Sequence, residues 1–183
     1  MNKGIYRNIE GKKVLLLFVL TNMVYLYMLT VTIPWVMGFS GGMKLFDMMP
    51  LGYDPEYVLL LLDKLGEEGR HVYLYNQIPV DMIYPLLFGI TYCLLTAWFL
   101  NKLNTLTEEP FYLCILPLLA GLFDYLENFS IINMLLTYPY LTDTAIHTAT
   151  LFTVFKSLFS TISFTVLIVL MIKYGYRKFV KKQ

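Results

Sequence analysis

The stretch Phe111-Tyr-Leu-Cys-Ile-Leu-Pro-Leu-Leu-Ala-Gly-Leu-Phe-Asp-Tyr-Leu-Glu-Asn-Phe-Ser-Ile-Ile-Asn133 is apolar enough to cross a bilayer, yet it carries Asp124, Glu127 and Asn128 near its middle. It exceeds the ~20 residues that ~30 Å of hydrocarbon requires of a helix. The chain around it has the same character. Of its 183 residues, 57% are hydrophobic, 16% aromatic and 15% charged, with a mean hydropathy of +0.60. Soluble domains carry roughly 25% charged residues, so the composition argues against a water-soluble enzyme and a disordered chain. A net charge of +1 leaves no basic surface to follow phosphates, which removes nucleic acid as a partner.

Working outward from that stretch, hydropathy places four spans at about residues 14–37, 79–100, 111–137 and 148–172. All should be helices, because open strands leave backbone groups unsatisfied in lipid and no ten-residue dyad alternation marks barrel strands. The expected fold is therefore all-α, one integral membrane domain over residues 1–183: a four-helix transmembrane bundle with one or two extra amphipathic helices in the first loop. The first span is preceded by Lys12 and Lys13 but is too long for a signal peptide and lacks a small-residue cleavage site. Ten of the lysines and arginines flank the spans on the side of the termini, and only Lys44, Lys64 and Arg70 lie on the other. The positive-inside rule then puts both termini in the cytoplasm of a multi-pass cell-membrane protein. Trp35, Trp98, Tyr138 and Tyr140 fall where interfacial aromatics belong.

The segment between the first two spans carries a helix start, with Asp54 as N-cap, Pro55 at the first position, the apolar run Tyr57 to Leu62 and a Gly66 stop. A second helical stretch from Glu67 runs towards span two, with Pro79 bending or restarting it. This outer segment, about residues 54–77, either lies on the membrane surface or caps the bundle. Cys93 and Cys114 sit singly in apolar runs, so no disulfide framework, redox pair or zinc site is expected. His71 and His147 read as solvated interfacial residues rather than metal ligands.

The chemistry concentrates on span three. An ionised side chain at a helix centre costs roughly 2.5–3.5 kcal/mol on translocon-type scales, so two carboxyls within one turn require a partner, a proton or water. Spacings of three and four put Asp124, Glu127 and Asn128 on one face, which should look into the bundle. Span four supplies Lys156 among Thr153, Ser157 and Ser160. Counting ~1.5 Å per residue sets Lys156 nearly level with Glu127. The pattern predicts a Lys156 pair with Glu127 or Asp124, supported by Asn128 and the hydroxyls of span four. Smaller polar sets on spans one and two, Asn22 and Tyr25, then Asp81, Tyr84 and Tyr92, complete the candidate binding residues. The same rise puts Asp81 ~13 Å from the centre of its span, near the interface, where Arg70, Lys64 or water would meet it. Pro85, Gly89, Pro117 and Gly121 are expected to open a cavity by disturbing regular packing.

Gly66-Glu67-Glu68-Gly69-Arg70, Tyr73, Asp81, Tyr84-Pro85, Asp124-Tyr125-Leu126-Glu127-Asn128 and Phe155-Lys156 together resemble a group of small bacterial four-span membrane proteins to which no activity is attached. More loosely, the architecture is similar to the emopamil-binding (EXPERA) group of sterol isomerases and sigma-2-type lipid-binding proteins. That likeness implies an intramembrane cavity walled by acids and aromatics. Span one carries no acid here, so none of that group's catalytic positions transfers. The residues leave three readings open. The first is a pocket for a lipid-like or isoprenoid molecule, in which Asp124 and Glu127 are the candidate proton donor and charge stabiliser of isomerase-type general acid chemistry. The second is a non-catalytic accessory or scaffold subunit, in which the cluster only fixes helix register and the outer helices dock on a larger membrane protein partner; a homodimer is a separate possibility. The third is a small proton-coupled transporter. None of the three calls for a cofactor or a metal.

Overall fold

The computed structural model describes residues 9–105 and 108–180. Among them there is no strand, and four helical stretches are long and apolar enough to cross a membrane: Gly11–Met37, Pro55–Lys102, Tyr112–Thr137 and Asp143–Val180. The helices are α1 (Gly11–Met37, with a π-helical turn at Met28–Thr32), α2 (Pro55–Val72), α3 (Ile78–Lys102), α4 (Leu116–Thr137) and α5 (Asp143–Val180). At 38 residues and ~1.5 Å per residue, α5 is ~57 Å long and outruns any hydrocarbon layer at its end.

Asp54 caps α2 as expected, its Oδ1 accepting from the Tyr57 amide at 2.7 Å, and Pro55 occupies the first turn. Gly66, at φ +62, breaks the helix in a left-handed conformation that L-residues adopt only at a cost. Beyond it the chain does not stop. It runs through a π-helical segment, Tyr73–Gln77, directly into α3, so Pro79 lies one residue inside a helix that has already begun. Such π segments are frequent at functional sites, and the two among the described residues meet: the Thr32 hydroxyl donates to Gln77 Oε1.

Of the two roles open to the outer segment, capping is the one observed. Val58, Leu61, Leu62 and Leu65 are buried against Leu45, Phe46, Tyr53 and Tyr73 of the same region and Ile131, Met134 and Ile146 of α4 and α5. Each such side chain withdrawn from water contributes ~1.5–3 kcal/mol, enough to hold this lid on one end of the bundle.

The four spans do not close symmetrically. α1 packs on α3, where the Thr21 and Thr91 hydroxyls pair at 2.8 Å. α3 packs on α4, and α4 on α5, but α1 and α5 scarcely touch. The glycines and prolines on α3 and α4 act opposite to expectation. A Cβ on Gly121 would stand 2.7 Å from the Pro85 carbonyl oxygen, and one on Gly89 would stand 3.5 Å from the Pro117 carbonyl oxygen. Small residues there let two backbones approach, as is usual between membrane helices. They seal that seam, and the open space lies on the other side, between α1 and α5.

Candidate functional site

Two layers make up the site. The inner one is an ion-paired cluster, buried at Glu127 and opening to the cavity at Asp124 and Lys156. Lys156 of α5 places its Nζ 2.6 Å from Glu127 Oε2 and 2.7 Å from Asp124 Oδ1, bridging both carboxyls of α4. Thr153, one turn away on α5, donates to Glu127 Oε1 at 2.6 Å. Glu127 is 0% exposed and Asp124 is 4% exposed. The helical spacing that puts Asp124 and Glu127 on one face of α4 aims them at the single turn of α5 that holds Thr153 and Lys156. Charge-assisted contacts of this length are the strong ones, and they are what makes two acids tolerable in an apolar interior.

The outer layer is a cavity of ≈ 560 Å³. Its wall takes Asn22, Tyr25 and Met28 from α1, Asp81, Tyr84, Phe88 and Tyr92 from α3, Ala120 and Asp124 from α4, and Lys156, Ser160 and Phe164 from α5. Asp47 and Met48 of the capping segment roof it. Rings line it as a connected set. Tyr25 stacks on Tyr84 at 5.4 Å, and Phe164 meets the edges of Tyr92 at 5.2 Å and Phe88 at 5.8 Å. Asp47 is tied to the wall behind it, accepting from the Tyr73 hydroxyl at 2.5 Å and from Gln77 Nε2 at 3.3 Å. Burial away from water pushes the Asp47 carboxyl above the usual carboxylate range, against the opposing pull of the Lys156 ammonium and the Tyr73 hydrogen bond.

Of the residues singled out in the sequence, Asn22, Tyr25, Asp81, Tyr84, Tyr92, Asp124, Lys156 and Ser160 all face this one space. Glu127 and Asn128 do not; both are fully buried behind the wall. Asn128 does not support the lysine pair either, because its Nδ2 donates to the Asp81 carbonyl at 3.1 Å. The surroundings expected for Asp81 are corrected: it is only 2% exposed, with its main chain against Asn128, rather than met by water. Arg70 is engaged elsewhere, donating to the Leu62 carbonyl at 2.8 Å and lying 4.7 Å from the Tyr138 ring centre, and Lys64 is exposed. The reason is the continuous helix from the capping segment into α3, which carries the end of that span well past Pro79. No metal-ligating group of three acids, histidines or cysteines exists among the described residues.

With the cavity and its acids in place, comparison with known proteins adds no name. No family model, curated protein or solved structure matches the chain. Its chemistry therefore has to be drawn from its own side chains. Asp47 is the functional candidate that the sequence reading passed over. Its signal was a lone acid in the apolar run Leu45-Phe46-Asp47-Met48-Met49, an arrangement that seldom survives unless the carboxyl has a partner.

Proposed function

We propose that this protein is a multi-pass membrane protein, both termini cytoplasmic, that holds a lipid-like or isoprenoid molecule in a pocket within the bilayer. The observation that carries the reading is the ≈ 560 Å³ cavity lined by all four spans. Its size falls in the ~300–1,000 Å³ range of small-molecule sites, and its mixture is theirs as well: mostly aromatic and aliphatic wall with a few convergent polar groups. A molecule dissolved in the membrane would enter sideways between α1 and α5, which scarcely touch. The acid–lysine layer beneath serves as a fixed polar floor, since Lys156 is held by two carboxylates. General acid chemistry on such a guest would use Asp81, which reaches the wall without a basic partner, rather than Glu127 behind it or Asp124 held by Lys156.

Native mass spectrometry of the protein extracted in mild detergent tests this. The wild-type protein should carry a hydrophobic adduct, and Ser160→Phe, which fills the cavity from a partly exposed position on its wall, should lose it while keeping its melting temperature within a few degrees. A wild-type protein with no adduct, or an adduct that Ser160→Phe leaves in place, contradicts the reading. Recovery of a stoichiometric protein partner without any ligand would favour the accessory-subunit role instead.

A further inference from the structure

We propose that the guest's polar end is a flat, uncharged ring bearing carbonyl oxygens, the head of an isoprenoid quinone, hydrogen-bonded by Asp81 acting as a neutral carboxylic acid. This deepens the pocket reading and rests on it. The first support is the balance of protons. Asp47, Asp81 and Asp124 reach the cavity wall, Glu127 stands behind it, and Lys156 is the one basic side chain among the described residues of that wall. Four carboxylates against one ammonium exceed what a dry interior holds, and such sets keep protons on some of their members. Lys156 serves Asp124 and Glu127 at 2.7 and 2.6 Å, and Asp47 accepts from Tyr73 and Gln77. Asp81 has no such help: the residue is 2% exposed and its Oδ2 has no hydrogen-bond partner. A buried carboxyl oxygen without a donor is least costly when it carries the proton itself.

An acid O–H on the wall is a donor that calls for an acceptor. Two more donors share the space, since the hydroxyls of Tyr84 and Ser160 line it and hydrogen-bond to no group among the described residues. They stand on α3 and α5, so a guest with more than one acceptor meets both helices. An anionic acceptor would face Asp47 and Asp124 in the same cavity and be repelled. A carbonyl oxygen is uncharged, accepts two hydrogen bonds and asks for no donor site in return. The walls favour a flat head. Tyr25 and Tyr84 lie stacked with 26° between their planes, and Phe88, Tyr92 and Phe164 form a second ring cluster within 5.8 Å of one another. Aromatic faces of this kind take a planar, electron-poor ring in offset stacking, which a saturated ring system cannot match. The isoprenoid chain would then run out between α1 and α5, past Leu29 of the same wall, into the lipid.

Three probes that share one decyl chain separate the possibilities: decylubiquinone, decylubiquinol and decylbenzene, each titrated against the full-length protein in a neutral detergent without oxygen. Binding is read by thermal stabilisation and by native mass spectrometry. The expected result is saturable binding of decylubiquinone at least tenfold tighter than that of decylbenzene and at least threefold tighter than that of decylubiquinol. Asp81→Asn, whose amide N–H replaces the acid O–H, should keep the preference over decylbenzene within a factor of three of the wild type. Asp81→Leu, which has no donor, should bring it below threefold. Equal binding of decylubiquinone and decylbenzene overturns the carbonyl head while leaving a hydrophobic pocket standing. Tighter binding of decylubiquinol shows a wall that accepts more than it donates and overturns the assignment likewise. A preference lost as fully in Asp81→Asn as in Asp81→Leu means that the carboxylate is ionised and overturns the neutral acid. A preference intact in Asp81→Leu turns the Asp81 proton away from the guest, towards groups such as Asn128, whose Oδ1 is also unpartnered, and overturns its role. Absence of binding by all three overturns the quinone alone where the wild-type protein carries another adduct, and the pocket with it where there is none. The comparison among probes is made on the unsubstituted protein, so it decides the question even where Asp81→Leu fails to fold.

Discussion

Replacing Lys156 by methionine keeps the length and most of the volume of the side chain and removes its charge. Two contacts go with it, to Glu127 Oε2 at 2.6 Å and to Asp124 Oδ1 at 2.7 Å. Neither acid has water to turn to, with 0% and 4% of the residue exposed. Breaking a buried ion pair by deleting one partner costs about 3–5 kcal/mol, because the remaining charge stays buried. For a chain of this size ~1 kcal/mol corresponds to ~2–4 °C in melting temperature, so Lys156→Met should melt ~6–20 °C below the wild type. The same arithmetic has a built-in control. In the triple variant Lys156→Met, Asp124→Asn, Glu127→Gln no charge is left unpaired, and replacing a buried pair by neutral groups of similar volume is close to neutral. Most of the lost stability should return. The assay is thermal unfolding in detergent followed by light scattering and by circular dichroism. A single variant that melts within 2 °C of the wild type would refute the argument that Lys156 is the counter-ion of this layer. So would a triple variant no better than the single one.

Two further outcomes can be checked with the same assay. Gly121→Val should loosen the seam between α3 and α4, because a Cβ at Gly121 meets the Pro85 carbonyl at 2.7 Å, and overpacking of this kind costs ~1–3 kcal/mol; Gly175→Ala, with nothing within 4 Å of the added atom, should be neutral or slightly stabilising. Asp47→Asn should flatten the pH dependence of stability: a carboxyl whose folded-state pKa is raised contributes most below its ordinary value and loses that contribution as pH rises through the folded one. The melting temperature of the wild type relative to Asp47→Asn should therefore fall as pH rises above the ordinary carboxylate value of 3.8, and an unchanged difference would show that the carboxyl is not held out of water.

Much of the architecture was readable in the residues because the signals involved are sums or fixed increments. A span is a total over about twenty side chains, so α1, α4 and α5 fall close to where hydropathy puts them, α5 overrunning at both ends. Lys156 and Glu127 could be matched because the rise per residue in two antiparallel helices sets their depths. Asp81 was expected to meet Arg70, Lys64 or water because the span was started at Pro79, while the helix enters from the capping segment through Tyr73–Gln77 and buries it. Whether Gly121 opens or closes a gap depends on what stands opposite, and the Pro85 carbonyl is set by tertiary packing. Asp47 had its apolar neighbours as a signal, but a loop has no period to say which residue it folds over the bundle. The cavity exists because α1 and α5 fail to meet, and no local pattern records a contact that is not made.

The central claim is that a hydrophobic molecule occupies the space between the first and last spans, against Asp81, Asp124 and Lys156. An experimental density map of the protein in lipid nanodiscs, at a resolution that separates side chains, tests it most directly. The account predicts elongated density beside Tyr84 and Phe164 that reaches the Asp81 carboxyl and leaves the bundle between α1 and α5. Those two helices packed side chain against side chain, with the carboxyls wedged in a solid interior, would contradict it.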